Sequence, residues 1–399
     1  MKSNYKKLGQ YIRQVDVRNT EGKEENLLGV SVQKQFIPSI ANTVGTDFTK
    51  YKVVKKGQFT YIPDTSRRGD KIGIALLEDY NDGLVSNVYT VFEVVDTNKL
   101  LPEYLILWFS RPEFDRYARY KSHGSVREIF DWDEMCNVEL PVPPIQEQRK
   151  IVKAYKTITD RIELKKRIND NLAETVKTVF KSWFIDFTAL DCTELTQSQY
   201  DEIPSGWHYE LLGNLCECVT KGTTPTTLGK DFTEEGINFI KGESINDDHS
   251  FNKSMFSHID EETDRLLQRS RIKENDIVFT IAGTLGKFAL VDKSVVPANT
   301  NQAVAIIRTN AIEAELLYSY FLGDWQVEFY KKNVQQAVQA NLSLTTIKDL
   351  PILLADTKSQ ERYFSIVKPM LNAIKSNFAE IEQLAELQNQ LLTQLSSSR

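Results

Sequence analysis

The residue types that do chemistry are few in this chain and badly spaced for it. The histidines, at 123, 208, 249 and 258, have no nucleophile or metal-ligand companion. The cysteines, at 136, 192, 216 and 218, are irregular, and Cys216-Glu-Cys218 lacks the second pair that a zinc site needs. We expect neither a structural metal nor a disulfide. Gly283-Thr-Leu-Gly286-Lys287 resembles a phosphate loop, but the glycines are too close together and no Ser or Thr follows the lysine, so it reads as a turn between strands. Glu163-Leu-Lys165 has the acid-x-Lys spacing of some nucleases without an acidic cluster beside it. No Asn-Pro-Pro-aromatic or Asp-Pro-Pro-aromatic tetrapeptide is present to hold a target amine, and no glycine-rich turn makes a nucleotide fingerprint. The chain is expected to carry no active site and no cofactor.

Composition allows two or three domains. The 399 residues are 41% hydrophobic and 10% aromatic, enough to give each domain a core. No signal peptide and no membrane-crossing apolar run are seen, so a cytoplasmic protein with no membrane partner is expected. The net charge of −6 is unevenly spread. Residues 1–145 hold 20 basic and 20 acidic side chains, 146–185 hold 10 and 5, 186–349 hold 14 and 25, and 350–399 hold 5 and 5. An acidic total makes non-specific, charge-driven DNA binding weak but leaves room for local basic patches.

Two long helices organise the rest. Residues 140–187 open with three prolines and then run without Pro or Gly, and their apolar positions follow a seven-residue repeat. Ile151, Ile158, Leu172 and Val179 form one row, and Tyr155, Ile162, Val176 and Trp183 form the other. Lys165 and Asn169 interrupt the rows, where polar residues cost stability but fix register. Residues 350–399 repeat the design with Val367, Ile374, Ile381 and Leu395 beside Leu371, Phe378, Ala385 and Leu392, and Gln388 as the polar break. Each helix would extend roughly 60 Å at 1.5 Å per residue, which suits a spacer arm. Pro369 should kink the second helix or delay its start.

Ahead of each helix lies one copy of a repeat. Tyr5-Lys-Lys-Leu8-Gly9 is answered by Tyr209-Glu-Leu-Leu212-Gly213, and Lys56-Gly57-Gln-Phe59-Thr-Tyr61 by the run from Glu274 to Thr280. Val88–Val94 is answered by Gln302–Arg308, each a strand, before both copies turn helical and reach a Leu-Pro step. The expected plan is a globule at 1–139, a helical spacer at 140–187, a linker at 188–204, a second globule at 205–349 and a second spacer at 350–399. The fold class is two α/β (α+β) domains in pseudo-repeat, joined by two long helices that form an intramolecular antiparallel coiled coil.

With this order, the segments LPVPPIQEQRKIV, VFKSWFIDF, IPSGWHYELLG and GTLGKFALV give the chain a resemblance to the specificity subunits of type I restriction-modification enzymes. The resemblance implies two target-recognition domains, each reading one half of a bipartite double-stranded DNA target, with the helices setting the gap. It also implies two modification (methyltransferase) subunits that bind S-adenosylmethionine and methylate adenine, and restriction subunits that use ATP and Mg, with no catalysis in this chain. Residues whose chemistry suits phosphate or base edges are Arg67, Arg68 and Lys71, then Lys121, Ser122, Ser125 and Arg127 in the first domain. In the second domain they are Lys221, Thr223, Thr224, Lys241, Thr284, Lys287, Asn299, Asn301 and Gln302. The competing function is a protein-interaction scaffold with coiled-coil arms and no base readout.

Overall fold

The computed structural model describes residues 5–39, 45–65, 71–122, 128–190, 194–333 and 341–396. They form two compact units, Met1–Glu163 with Glu382–Arg399, and Leu164–Ile381.

In the first unit, strands β1 (Tyr5–Lys7), β2 (Ile12–Val15), β3 (Phe59–Tyr61), β4 (Ile74–Leu76) and β5 (Thr90–Val94) precede helices α1 (Pro102–Phe109), α2 (Pro112–Lys121) and α3 (Trp132–Asn137). An antiparallel sheet forms in the order β2-β5-β3-β4. Proline stands in the first turn of both α1 and α2, where its missing N–H has no helical partner to lose. Strand β6 (Glu139–Pro141) returns to pair with β1, and α4 (Ile145–Phe184) follows.

The second unit repeats this plan. Strands β7 (His208–Leu211), β8 (Cys216–Lys221), β9 (Ile237–Ile240), β10 (Ile277–Thr280), β11 (Phe288–Leu290), β12 (Ala298–Thr300) and β13 (Val304–Thr309) come first. Helices α5 (Ala314–Leu322), α6 (Trp325–Asn333) and α7 (Leu344–Lys348), strand β14 (Pro351–Leu354) and helix α8 (Thr357–Gln394) complete it. The main sheet runs β8-β13-β10-β11, all antiparallel, in the same spatial order as the first. Strands β9 and β12 form a separate parallel pair. The 188–204 stretch, read as a linker, holds a small hairpin pairing Leu195–Gln197 with Glu202–Pro204.

Two expectations about helix entry need correction. The spacers expected from residues 140 and 350 become helical only at Ile145 and Thr357, because the Leu-Pro steps that precede them lie in strands: Pro141 pairs opposite Tyr5, while Pro351 pairs opposite Leu211. Leu8 N–H donates to Val138 O and Leu212 N–H to Leu350 O, both at 2.8 Å, so Val138 rather than Leu140 is the counterpart of Leu350. A two-stranded ladder tolerates proline as an edge, which is why the dipeptide recurs there without marking a helix. Nor does Pro369 delay its helix. Helix α8 begins at Thr357, capped by Asp356, which accepts Ser359 N–H at 3.1 Å and Trp207 Nε1–H at 3.1 Å.

Each unit contains a piece of both long helices. In the first, Leu392 and Leu395 are buried with Phe59, Phe92, Phe109 and Phe130, and Ile151 and Tyr155 pack against them. Ile158 is buried and Ile162 half-buried, and Gln388 Nε2 donates to Thr159 Oγ1 at 2.7 Å. In the second, Val176, Trp183, Val367, Leu371 and Ile374 are buried in the domain core, with Leu172, Val179 and Phe378 packed on it and Ile381 half-buried. Phe180 and Phe184, outside the two seam rows, are buried as well, because the end of α4 is surrounded by the domain rather than faced on one side. The polar interruptions join one another. Lys165 Nζ donates to Asn377 Oδ1 at 2.8 Å and pairs with Glu380 at 2.9 Å, while Asn377 Nδ2 donates to Asn169 Oδ1 at 2.7 Å. Contacts pair low numbers on α4 with high numbers on α8, so the helices run antiparallel within each unit.

Asn169→Leu and Asn377→Leu each strand a buried amide and should each destabilise the second unit by about 1–3 kcal/mol. The double variant should cost less than their sum, as chemical unfolding of the three proteins will measure.

Candidate nucleic-acid interface

Most of the polar candidates of the second unit meet at one end of its sheets. Strands β8, β9, β10 and β12 finish there, and β11 and β13 begin there, because Lys221 pairs with Ala305, Phe279 with Phe288, Thr280 with Val304 and Ile240 with Thr300. The loops leaving these strands therefore cluster. Gly222 N–H donates to Asn301 O at 3.0 Å, and Thr224 Oγ1 donates to Gln302 Oε1 at 2.5 Å. Only glycine fits at 222, since a Cβ there would stand 1.7 Å from Thr300 O. Lys221 and Gln302 are exposed, and Thr223, Thr224 and Asn301 are half-buried. Asn301 Oδ1 accepts the Ala303 N–H at 3.0 Å, which stiffens the turn.

The remaining loops at this end carry fixed charges. Thr284 is exposed in the β10–β11 turn, where Gly283 and Gly286 adopt positive φ. Lys287 Nζ is bound to Asp247 at 2.7 Å and to Ile245 O at 3.3 Å, so its charge is already compensated. Lys241 lies over the Phe232 ring at 4.4 Å. His249 stacks on Phe288 with centroids 4.0 Å apart, and burial lowers its affinity for a proton more than a hydrogen bond to the Phe288 backbone restores it. Burial therefore favours its neutral imidazole over the charged form.

Asn299 must be withdrawn from the candidate contacts. It is fully buried, its Nδ2 donates to Asp264 Oδ1 at 3.2 Å and Leu267 O at 3.1 Å, and its Oδ1 accepts from Ser270 Oγ at 2.7 Å and Thr300 N at 2.9 Å. No base could reach an amide so enclosed.

In the first unit, Lys71 is exposed just before β4. Lys121 pairs with Glu134 at 3.6 Å, and the Ser122 hydroxyl donates to Ala118 O at 2.7 Å while accepting from Thr65 Oγ1 at 2.8 Å. Arg67, Arg68, Ser125 and Arg127 lie outside the described residues. Sequence reading missed what fixes the return to β4. Lys34, buried with positive φ, donates to Ile72 O at 2.6 Å and pairs with Asp115, whose carboxylate also accepts the Ile72 N–H at 3.1 Å. Burial lowers the proton affinity of Lys34 despite this partner. No motif announces such a pair; a lone lysine in a polar loop gives no sign of burial.

Among the described residues no group of His, Cys, Asp and Glu could hold a metal. Burial pushes the Cys216 thiol up to about 12 and raises Cys136 and Cys218, which keeps all three as weakly reactive thiols. No described helix is long and apolar enough to cross a membrane.

The repeated sheets and paired helices match a known family. The family model for the type I restriction modification DNA specificity domain matches residues 2–174 and again 204–386. The chain belongs to this family, whose domain it carries twice. It is 25% identical to the type I restriction enzyme HindI specificity subunit of Haemophilus influenzae, over 86% of each chain. It is 24% identical to the MjaIX specificity subunit of Methanocaldococcus jannaschii, over 76% of this chain and 70% of that one. The crystal structure of a type I restriction-modification S subunit from M. genitalium shares the fold, with a TM-score of 0.55 and 14% identity over 98% of this chain and 95% of that one.

Two outcomes follow from the buried groups. Asn299→Ala should lower stability by about 1–3 kcal/mol, read by thermal unfolding, while the sequence preference of the protein stays as it was. For His249 the folded state binds a proton less readily than the unfolded state, so below the ordinary histidine range the unfolded state takes up more protons and stability falls with pH. Unfolding midpoints measured from pH 7 to pH 5 should therefore drop more steeply for the native chain than for His249→Asn.

Proposed function

We propose that this chain is the DNA-specificity subunit of a type I restriction-modification complex. Each domain reads one half of a bipartite site in double-stranded DNA, and the paired helices set the gap between the halves. The observation that carries this is duplication: the specificity-domain model matches twice, and each matched region holds a four-stranded antiparallel sheet of the same strand order. A split, asymmetric target calls for two readers on one frame whose loops differ.

In this reading the chain is non-catalytic and cytoplasmic. Two modification subunits dock on it, hold S-adenosylmethionine and methylate adenine, and restriction subunits supply ATP- and Mg-dependent cleavage. Lys71, Lys121, Lys221, Lys241 and Lys287 would favour the phosphate backbone, and Thr223, Thr224, Thr284, Asn301 and Gln302 the hydrogen bonding of bases or sugar. Lys287 must exchange Asp247 for a phosphate to do so, which makes it the weaker contributor.

The test is adenine methylation mapped genome-wide in cells carrying the modification gene with this gene and without it. One split motif is expected to be methylated only when this gene is present. Identical methylated motifs in both strains, with the modification subunit active, would defeat the proposal.

A further inference from the structure

The two main sheets correspond residue by residue. Gly57 and Asn275 both take positive φ in the turn before the strand, and each closes the same bond, Gly57 N–H to Leu77 O at 2.8 Å and Asn275 N–H to Val291 O at 2.9 Å. Phe59 pairs with Phe92 and Ile277 with Ile307. Counting back along β5 and β13 from these pairs aligns Ser86 with Asn301 and Asn87 with Gln302. The alignment by sequence alone, which matched Val88 to Gln302, was one residue out.

The two turns then share a design. Each closes by a bond from the fourth residue to the first, Tyr89 N–H to Ser86 O at 3.1 Å and Val304 N–H to Asn301 O at 3.5 Å. Each feeds an inner strand of its sheet, at the end where β3 turns back to β4 or β10 to β11. Each is tied down from beside it: Lys52 Nζ donates to Tyr89 O at 2.8 Å in one, and Gly222 N–H to Asn301 O at 3.0 Å in the other. On each the second residue is an exposed carboxamide whose oxygen accepts a hydroxyl, Ser86 Oγ on Asn87 at 3.4 Å and Thr224 Oγ1 on Gln302 at 2.5 Å. A carboxamide held by its oxygen turns its NH2 outward as a donor.

We propose that Asn87 and Gln302 are equivalent base-reading residues, each donating its side-chain NH2 to an acceptor on a base edge, a purine N7 or a base carbonyl oxygen, in the half-site that its own domain reads. The inference rests on the DNA-specificity reading above and adds the residues. A neutral amide draws little from a phosphate compared with lysine, whereas its planar edge matches the donor and acceptor pattern of a base. A rigid turn is what such a contact needs, since a mobile amide would not distinguish one base edge from another.

The experiment is the same adenine mapping, with the full chain carrying Asn87→Ala or Gln302→Ala beside the modification subunit. Asn87→Ala is expected to relax one position in one half of the motif by roughly tenfold and to leave the other half intact, with Gln302→Ala doing the converse. The isosteric Asn87→Asp and Gln302→Glu, which keep the shape and remove the NH2, should lose methylation of the native motif. The proposal is overturned if both alanine variants methylate the native motif unchanged, or if both relax the same half. A chain that directs no split motif at all would instead remove the DNA-specificity reading itself, an outcome the unsubstituted control identifies.

Discussion

Neither long helix can bury its apolar stripe without the other. Helix α4 lies in the middle of the chain and α8 at its far end, so the contacts that satisfy them, such as Lys165 with Asn377 or Thr159 with Gln388, join residues more than two hundred positions apart. Closing such loops costs entropy that only burial of the whole seam can offset. The two compact units follow from this. Each takes a globular domain, one piece of α4 and one piece of α8, and the apolar seam of each pair continues into the core of its domain. The polar node of Lys165, Asn169, Asn377 and Glu380 gives the seam of the second unit a single favoured register, because any slip would leave buried amides without partners.

Much of the architecture was legible because periodicity and repetition are properties of the chain itself. The seven-residue rows and the twice-repeated order of strands and helices pointed to two α/β domains joined by paired helices, and that is the fold. Register was harder. The Leu-Pro dipeptide recurs before each long helix, yet one copy lies two positions along its strand from the other, since a strand pair records which backbone groups face each other and not which residues look alike. Burial of polar residues was harder still. Asn299 and Gln302 both stand in the run ANTNQ, but one is sealed among Asp264, Leu267 and Ser270 while the other is open to solvent, because a strand ends between them. Lys34 and Asp115 are far apart in sequence and become a pair only when the sheet and α2 have formed.

The copies have also diverged where they are most alike. On β5, Glu93 accepts Arg13 from β2, at 2.6 Å, and Gln58 from the turn before β3, at 2.8 Å. The matching position on β13 carries the opposite charge. Arg308 makes two 2.7 Å bonds to Asp276, which stands where Gln58 does, and Cys218 stands where Arg13 does. Strands exchanged between the copies would set Arg13 against Arg308 and leave the buried carboxylate of Asp276 without its guanidinium. The two sheets thus share a plan without being interchangeable.

The placement of Leu392 and Leu395 has a further meaning for how the protein is made. The first domain keeps part of its core open until α8 has been made, for these leucines, together with Ser396, whose carbonyl accepts the Tyr5 hydroxyl at 3.0 Å, follow Asn137 at the end of α3 by more than 250 residues. At about 5–20 residues per second this interval is some tens of seconds. Throughout it the nascent first domain exposes apolar surface that α8 covers in the folded chain, so synthesis of that distant helix, rather than of the domain's own strands and helices, closes its core.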